Sequence, residues 1–234
     1  MTSTLTATDR AAMDSNPWFA SMPQPMADCL LAAAERVSLR RGALLFRAGD
    51  PAQAAGAGFF GLVGGRIKAS TLRSDGREAI LAVLEPGNWF GEITLIDGAP
   101  RTHDATALTA SELLVVPADA FAGLMQDAGF ANAVARLLAA RVRALYGLME
   151  DATLRGLRAR VARRILALAR GDATQTAVPQ PDVRLPQESL AMMLGVTRQT
   201  LSRELNALAA DGVIAIGYGR VRVLSFEGLE QVAR

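Results

Sequence analysis

Short apolar runs separated by turn residues fill the chain from Val37 to Pro117. Runs such as FFGLV, EAILAVL and ELLVVP are followed or preceded by glycine, Asp-Gly or Pro-Gly turn signals at short, regular intervals. Frequent turns between short strands are typical of an antiparallel sandwich or barrel. The pair Asp75-Gly76 between ASTLRS and REAILAVL is also a good hairpin signal. We therefore predict a β-sandwich or barrel here, preceded by a short helix over PMADCLLAAAE.

A helical pattern replaces the strand pattern from Phe130 to about Leu154. Apolar residues recur there every three or four positions, at Phe130, Val134, Leu138, Val142, Leu145, Met149 and Ala152. Such a stripe is longer than a small domain needs, and it resembles one side of a two-helix seam. The simpler alternative is a helix that lies on its own barrel. We favour a homodimer, in which Gly156 ends the helix and the interface contains Val134, Leu138, Val142, Leu145 and Met149.

The stretch LPQESLAMMLGVTRQTLSRELNAL predicts two helices joined by a tight turn. Pro186 can start the first helix, and Gly195 can adopt the left-handed conformation that ends it. Thr197 can cap the second helix. This is the helix-turn-helix arrangement, which places its second helix in the DNA major groove. The following ADGVIAIGYGRVRVLS predicts a two-stranded wing that turns at Gly217-Tyr-Gly219.

The second of these helices carries hydrogen-bonding side chains on the face away from its apolar stripe. The stripe consists of Leu201, Leu205 and Leu208. The exposed positions near the helix start are therefore Arg198, Gln199, Ser202 and Arg203. Arginine can donate two hydrogen bonds to guanine, glutamine can pair with adenine, and serine adapts to either. We predict that these four side chains bind DNA; the alternative is the solvated helix face of an ordinary winged-helix interaction module.

Composition narrows the classes of function. Residues 156–234 contain eleven arginines against seven acidic residues, a charge of +4 in a chain of net charge +2. A basic region of this size is a modest indication of nucleic-acid binding. The single cysteine, Cys29, excludes an internal disulfide, and the single histidine, His103, argues against a histidine metal site. No metal is predicted, and because no nucleophile–base pair is recognisable we do not expect an enzyme.

The N-terminal stretch MTSTLTATDRAAMDS lacks the basic-then-apolar order of a signal peptide. No apolar run in the chain reaches the length that spans a membrane. We therefore expect a cytoplasmic protein that does not bind membranes and whose N-terminal residues are flexible.

The stretch GEITLIDGAPRT, residues 91–102, places one acid and one base in the strand-rich region. Glu92 lies between a glycine and apolar residues, and Arg101 follows a proline turn. A guanidinium, together with backbone N–H groups, can bind a phosphate through paired hydrogen bonds. We expect these two side chains to hold the two ends of a small anionic ligand; the alternative is a structural ion pair across the barrel.

With both stretches in this order, residues 18 to 232 resemble the family of the catabolite activator protein and the fumarate–nitrate regulator, the CRP/FNR family. FGEITLIDGAPRT looks like the phosphate-binding cassette of that family, and GVTRQTLSREL looks like its recognition helix. The resemblance implies an α+β fold with a jelly-roll-like, cyclic-nucleotide-binding β-roll, a long dimerisation helix and a C-terminal winged helix-turn-helix. The implied domains are a flexible N-terminus over 1–17, an effector domain over 18–129, the dimerisation helix over 130–155 and the DNA-binding domain over 156–234.

The resemblance also assigns the effector-binding residues Gly91, Glu92, Arg101, Thr102, Leu145 and Tyr146. Glu92 matches an acid that accepts the ribose 2′-hydroxyl, and Arg101 matches the arginine that pairs with the cyclic phosphate. Thr102 replaces the usual serine and keeps its hydroxyl. Leu145 and Tyr146 lie where members that bind cyclic AMP place hydroxyl residues near the base. The phosphate end therefore follows the family pattern, and the base end departs from it.

The function that the resemblance implies is that of a homodimeric, sequence-specific transcription regulator bound to double-stranded operator DNA. A cyclic nucleotide such as cyclic AMP would control it allosterically, no cofactor is needed, and RNA polymerase is a possible further partner. Two alternatives stay open: a regulator of the same fold that needs no ligand, and one that responds to cyclic di-GMP. Gln199 stands where family members commonly have a glutamate, so the middle of the DNA half-site is expected to differ.

Overall fold

The computed structural model describes residues 6–54, 56–171 and 180–234. The chain divides into two compact units, residues 1–75 with 81–139 and residues 76–80 with 140–234. Up to residue 154 the elements are α1 (Ala7–Asp14), α2 (Pro17–Ala20), α3 (Gln24–Ala32), β1 (Glu35–Leu39), β2 (Leu44–Phe46), β3 (Gly58–Gly64), β4 (Ile67–Leu72), β5 (Glu78–Leu84), β6 (Trp89–Phe90), α4 (Glu92–Asp97), β7 (Asp104–Ala107), β8 (Ser111–Pro117), α5 (Ala118–Leu124) and α6 (Ala128–Leu154). They are followed by α7 (Leu157–Arg170), β9 (Asp182–Val183), α8 (Gln187–Leu194), α9 (Arg198–Ala210), β10 (Ile214–Gly217), β11 (Arg220–Val223) and α10 (Phe226–Val232).

Two four-stranded sheets confirm the antiparallel sandwich that the turn pattern predicted and the β-roll that the family resemblance implied. One sheet has the strand order β1-β8-β3-β6 and the other the order β2-β7-β4-β5. Phe46, Phe60 and Ile67, which come from both sheets, belong to one buried cluster. Strand β3 also contributes Phe59 to a second cluster, formed with helices α1 to α3, α5 and α6. Successive side chains of a strand point to opposite faces, so β3 is buried on both sides and reads as a continuous apolar run.

The prediction of a flexible N-terminus over residues 1–17 is wrong from residue 6 onward; residues 1–5 lie outside the described residues. Thr6 and Asp9 form a reciprocal capping box at the start of α1. Asp9 also forms an ion pair with Arg36 of β1. Met13 is fully buried in the second cluster, and Trp18 packs edge-on against the Phe59 ring. The segment is mostly polar, so its few apolar residues gave no clear pattern in the sequence. They are buried because the helices that carry them pack on the sheet.

Helix α6 begins and ends close to the predicted positions, but its apolar stripe divides into two parts. Phe130 and Val134 are 1% exposed in the core of the first unit. The prediction that Val134 lies in a dimer interface is therefore corrected, because its side chain is already covered by its own chain. Leu138 is partly buried against the same core. The later residues Val142, Leu145 and Met149 are 47, 59 and 64% exposed.

The end of α6 is joined to α7 at the predicted break, where Gly156 is the N-cap of α7. Asp151, near the end of α6, pairs with Arg163 of α7 at 2.6 Å and with Arg155 at 3.1 Å. Burial lowers the pKa of the neighbouring Arg164 guanidinium, and the Asp151 carboxylate partly offsets that effect. One carboxylate thus holds the two sides of the break together through charge-assisted contacts.

The second unit contains the predicted helix-turn-helix and wing. Leu201, Leu205 and Leu208 of α9 are fully buried, as the stripe required. Gly195 has φ 67° and ends α8, and the Thr197 hydroxyl accepts from the Thr200 N–H at 3.2 Å. Strands β10 and β11 form the wing hairpin, and the unpredicted strand β9 pairs with β11. Residues 172–179 of the connection before β9 lie outside the described residues, and none of the described helices is long and apolar enough to cross a membrane.

Candidate ligand- and DNA-binding sites

The cassette stretch forms the short helix α4 between two left-handed glycines. Gly91 has φ 97° and precedes the helix, and Gly98 has φ 68° and follows it. A Cβ atom on Gly91 would lie 2.8 Å from a ring carbon of Phe60 and 2.9 Å from the Gly58 carbonyl oxygen. Residue 91 therefore has to be glycine on two grounds, the sign of φ and the close approach of strand β3.

Glu92 and Arg101 are both buried in the first unit, although both side chains are ionisable. Glu92 is 0% and Arg101 is 6% exposed. Burial lowers the pKa of the Arg101 guanidinium, and the negative charges of Glu92 and Asp50 act in the opposite direction. Because arginine stays protonated in proteins, Arg101 is a largely desolvated cation next to an acid. The structure thus brings together the two side chains that the sequence singled out.

Backbone carbonyls and aromatic rings hold the Arg101 guanidinium. Its Nη1 donates to the Gly91 carbonyl oxygen at 2.7 Å, and its Nη2 donates to the Gly58 carbonyl oxygen at 3.3 Å. Its central carbon lies 4.4 Å from the centroid of the Phe46 ring, within the range of a cation–π contact. The guanidinium is therefore ordered by neutral groups on several sides, which is more than an ion pair across a barrel requires.

Thr102 and His103 follow Arg101 at the edge of the sandwich. Thr102 is exposed, and its Oγ1 lies 2.8 Å from Nδ1 of His103. The His103 ring is 5.8 Å from the Phe46 ring, the same ring that Arg101 contacts. Sequence reasoning treated His103 as a poor metal ligand and did not assign it to the ligand site. Its direct neighbour Thr102 in the cassette was the signal that could have linked it to the ligand.

The residues predicted for the base end of the ligand, Leu145 and Tyr146, belong to the second unit. They are 59 and 67% exposed on α6. Exposure of two large side chains on a helix is compatible with a contact to a ligand or to a second chain. Their contact with an effector stays a prediction.

The start of α9 presents the side chains that were predicted to bind DNA. Arg198, Gln199 and Arg203 are exposed, and Ser202 is partly buried. They lie in the first two turns of the helix. A helix-turn-helix reads bases with the N-terminal part of its second helix. The four side chains therefore have the placement and the hydrogen-bonding groups for groove contacts.

The wing presents exposed side chains that the sequence analysis did not assign to DNA binding. Tyr218 is fully exposed at the tip of the hairpin, and Arg220 and Arg222 are exposed on β11. In the register of β10 and β11, these arginines stand opposite Gly217 and Ala215. The alternation in the sequence RVRV was the available signal, because alternate residues of a strand share one face.

Several arginines of the basic C-terminal part have structural partners instead. Arg158 pairs with Asp211, and Arg170 pairs with Glu230. Arg160 donates to the carbonyl oxygen of Leu194, at the end of α8, at 2.9 Å. The count of eleven arginines therefore overstates the positive charge that is available to DNA. The arginines at the start of α9 and on the wing are the better indication of a DNA-binding surface.

Comparisons with known proteins match both parts of the chain to known domain families. Residues 36–128 match the cyclic nucleotide-binding domain family, and residues 159–232 match the Crp-like helix-turn-helix domain family. The chain is 31% identical over 222 residues to the cyclic AMP receptor protein of Thermus thermophilus. The aligned region covers 94% of this chain and 98% of the relative. It is 29% identical over 200 residues to the CRP-like cAMP-activated global transcriptional regulator of Mycobacterium tuberculosis, with coverage of 85% and 88%.

A solved structure of a CRP/FNR family transcriptional regulator from Thermus thermophilus is similar as well. The TM-score is 0.68 at 25% identity, covering 85% of this chain and 98% of that one. The relatives are transcription regulators and not enzymes, which confirms the expectation from the sequence. The match spans the β-roll, the long helix and the winged helix-turn-helix in one chain. The protein belongs to the CRP/FNR family of DNA-binding transcription regulators.

Proposed function

We propose that this regulator acts as a homodimer whose affinity for operator DNA is controlled by a cyclic nucleotide, with cyclic AMP as the first candidate. The observation that carries the effector part is the buried Arg101 guanidinium beside Glu92. Two relatives, named above, are described by their response to cyclic AMP. Their descriptions support cyclic AMP as the first ligand to test.

The charges around Arg101 favour an anion with hydroxyl groups. A cyclic phosphodiester keeps one negative charge, and a guanidinium can bind it through two parallel hydrogen bonds. Arg101 now donates to neutral carbonyl oxygens, and charge-assisted hydrogen bonds to a phosphate are stronger than neutral ones. The Glu92 carboxylate can accept hydrogen bonds from ribose hydroxyls but would repel a second phosphate. A ligand with one phosphate and a free ribose hydroxyl fits this pair best.

Calorimetry with cyclic AMP, cyclic GMP and cyclic di-GMP tests the effector part. Arg101→Ala should abolish cyclic AMP binding, and Arg101→Lys should weaken it strongly because lysine cannot form the paired hydrogen bonds. Arg41→Ala removes an exposed charge of the same unit and should bind as the wild type does. Equal binding by Arg101→Ala and wild type would contradict the assignment. Preference for cyclic di-GMP would favour that alternative effector.

Titration of operator DNA tests the DNA-binding part. Arg203→Ala should cost about 1–3 kcal/mol on a specific site and relax base choice at one position. Arg41→Ala serves here as the control for loss of net charge. If Arg203→Ala and Arg41→Ala bind the operator equally well, the assignment of the recognition helix is wrong.

Coupling between the two ligands separates the proposal from its rival. If cyclic AMP raises operator affinity, operator DNA must raise cyclic AMP affinity by the same factor. Tight operator binding by the effector-free protein, unchanged by any of the three nucleotides, would support the ligand-independent alternative.

The homodimer rests on the exposed part of α6. Val142, Leu145 and Met149 recur at helical spacing, and each is about half exposed or more. A contiguous apolar stripe on a helix is typical of an interface with another helix. Two-fold pairing would also present two recognition helices to two half-sites about one DNA turn apart, ~34 Å.

A further inference from the structure

We infer that His103 is a positioning residue for the effector phosphate, acting through the Thr102 hydroxyl, and that it makes effector binding depend on pH. This inference rests on the proposed function, because it assumes that Thr102 contacts the anionic group next to Arg101. It concerns a residue whose side chain is not among those predicted to touch the ligand.

Two contacts position the His103 side chain. The Thr102 Oγ1 and His103 Nδ1 atoms are 2.8 Å apart. The ring also packs on Phe46, 5.8 Å between centroids, and Phe46 in turn lies under Arg101. The imidazole and the guanidinium therefore share one aromatic support within the cassette.

Backbone contacts hold the chain segment around His103 against the loop that follows β2. The Gly49 N–H donates to the Arg101 carbonyl oxygen at 2.7 Å, and the Arg101 N–H donates to the Asp50 carbonyl oxygen at 2.8 Å. The Ala48 N–H donates to Asp104 Oδ1 at 2.8 Å. The arrangement of Thr102 and His103 is thus part of a well-braced edge.

A bound anion would determine which side chain, Thr102 or His103, donates the hydrogen bond between them. A threonine hydroxyl has one proton, so it can donate to the phosphate only if it accepts from, or stays free of, its other neighbour. The Nδ1 atom of a neutral histidine that carries its proton on Nε2 would accept a hydrogen bond from the Thr102 hydroxyl, which could then not donate to the phosphate. Histidine with a proton on Nδ1 donates to Thr102 Oγ1 and leaves the hydroxyl proton for the ligand. Bound phosphate therefore favours the Nδ1–H forms, and most of all the imidazolium.

The surrounding charges determine the sign of the pH dependence. Arg101 shares the Phe46 ring with His103, and Arg47 is the next residue after Phe46. The acids nearby are Asp104, bound to Ala48 N–H, and Asp50, whose side chain accepts from the Arg47 N–H at 2.7 Å. A bound phosphate adds one negative charge to this set. The bound phosphate therefore raises the pKa of His103, and effector affinity rises as pH falls through the usual histidine range near ~6.5.

His103 is the only histidine in the chain, so its Cε1 proton gives one unambiguous NMR signal. Titrating that signal with pH, with and without saturating cyclic AMP, measures both pKa values directly. We expect the pKa to be higher in the complex and the Kd of the wild type to fall roughly threefold to tenfold from pH 8.5 to 5.5, for one added charge at several ångströms. By linkage, a tenfold change in Kd corresponds to a pKa difference of about one.

Three variants separate a positioning role from a structural one. His103→Ala should bind more weakly at low pH and lose the pH dependence. His103→Asn, which keeps a non-titrating donor near the Nδ1 position, should recover part of the affinity without the pH dependence. In a Thr102→Val background, His103→Ala should have a smaller effect than in the wild type, because only the direct attraction between the imidazolium and the phosphate is left to lose.

Each outcome decides the inference. An unchanged histidine pKa in the cyclic AMP complex, or equal Kd values for His103→Ala and wild type across the pH range, overturns it while leaving the proposed effector site intact. Loss of binding in His103→Ala at every pH, with a pH-independent wild type, shows a purely structural role and also overturns it. If the wild type binds no cyclic nucleotide at any pH, the proposed effector fails and the inference falls with it.

Discussion

The substitution Gly91→Ala tests whether the cassette depends on a glycine before α4. Gly98→Ala, at the other end of the same helix, is its matched control. Both glycines have positive φ values, 97° and 68°. They differ in their surroundings, because a Cβ on Gly98 would meet nothing within 4 Å, whereas a Cβ on Gly91 would meet Phe60 and the Gly58 carbonyl below 3.0 Å.

The expected magnitudes follow from this difference. Alanine in the left-handed region costs roughly 1–2 kcal/mol, which is the whole cost expected for Gly98→Ala. At residue 91 the backbone lies further from the left-handed minimum, and an outlier of this kind costs roughly 1–3 kcal/mol. Overpacking against β3 adds about 1–3 kcal/mol, because the Gly58 carbonyl belongs to a paired strand and cannot move freely. Gly91→Ala should therefore destabilise the first unit by roughly 2–6 kcal/mol.

Tryptophan fluorescence in a urea titration measures this effect selectively. The chain has two tryptophans, and both Trp18 and Trp89 lie in the buried cluster of the first unit. The signal therefore reports unfolding of the unit that contains the cassette. Gly91→Ala should also weaken effector binding more than Gly98→Ala, because the Gly91 carbonyl accepts from Arg101. Equal destabilisation by the two substitutions would refute the argument from steric contact with β3.

Two further predictions concern α6 and its junction with α7. Met149→Glu should convert the proposed dimer to a monomer in sedimentation velocity. The control is Ala144→Glu, which lies on the opposite side of the helix, is also exposed and should leave the dimer intact. Equal sedimentation of the two variants would contradict the proposed interface. Asp151→Ala should destabilise the second unit by about 1–3 kcal/mol in a thermal melt followed by circular dichroism, because Arg155 and Arg163, with 18 and 37% exposed side chains, both lose their contact with Asp151. Asp211→Ala, which breaks an exposed pair, should cost less than about 1 kcal/mol, and a larger cost than that of Asp151→Ala would contradict the assignment.

The sequence predicted the local features of the winged helix-turn-helix well. The leucine stripe at 201, 205 and 208, the left-handed Gly195 and the cap at Thr197 all involve residues within a few positions of one another. Helical periodicity and capping are determined by such short-range interactions. Strand β9 escaped prediction because two residues carry no periodic pattern, and only pairing with β11 makes them a strand.

Some features of the candidate effector site can be predicted from the sequence, and others depend on the tertiary structure. The motif from Gly91 to Thr102 marked the acid and the base, since their types and spacing are legible in the chain. That Arg101 is buried, is held by two carbonyl oxygens and lies on Phe46 follows from strands distant in sequence. The contact between Thr102 and His103 joins adjacent residues, yet its meaning depends on the Phe46 ring beside it.

The sequence by itself determined the order of the elements, the turn glycines and the faces of the helices, because these depend on backbone preferences and on the alternation of neighbouring side chains. Tertiary structure decided which apolar residues are covered. Val134 and Met149 belong to one stripe, but only the first is buried by the β-roll of its own chain. Met13, in a polar segment, is buried because α1 lies on the sheet. Burial depends on which surfaces meet in three dimensions, and a one-dimensional pattern does not contain that information.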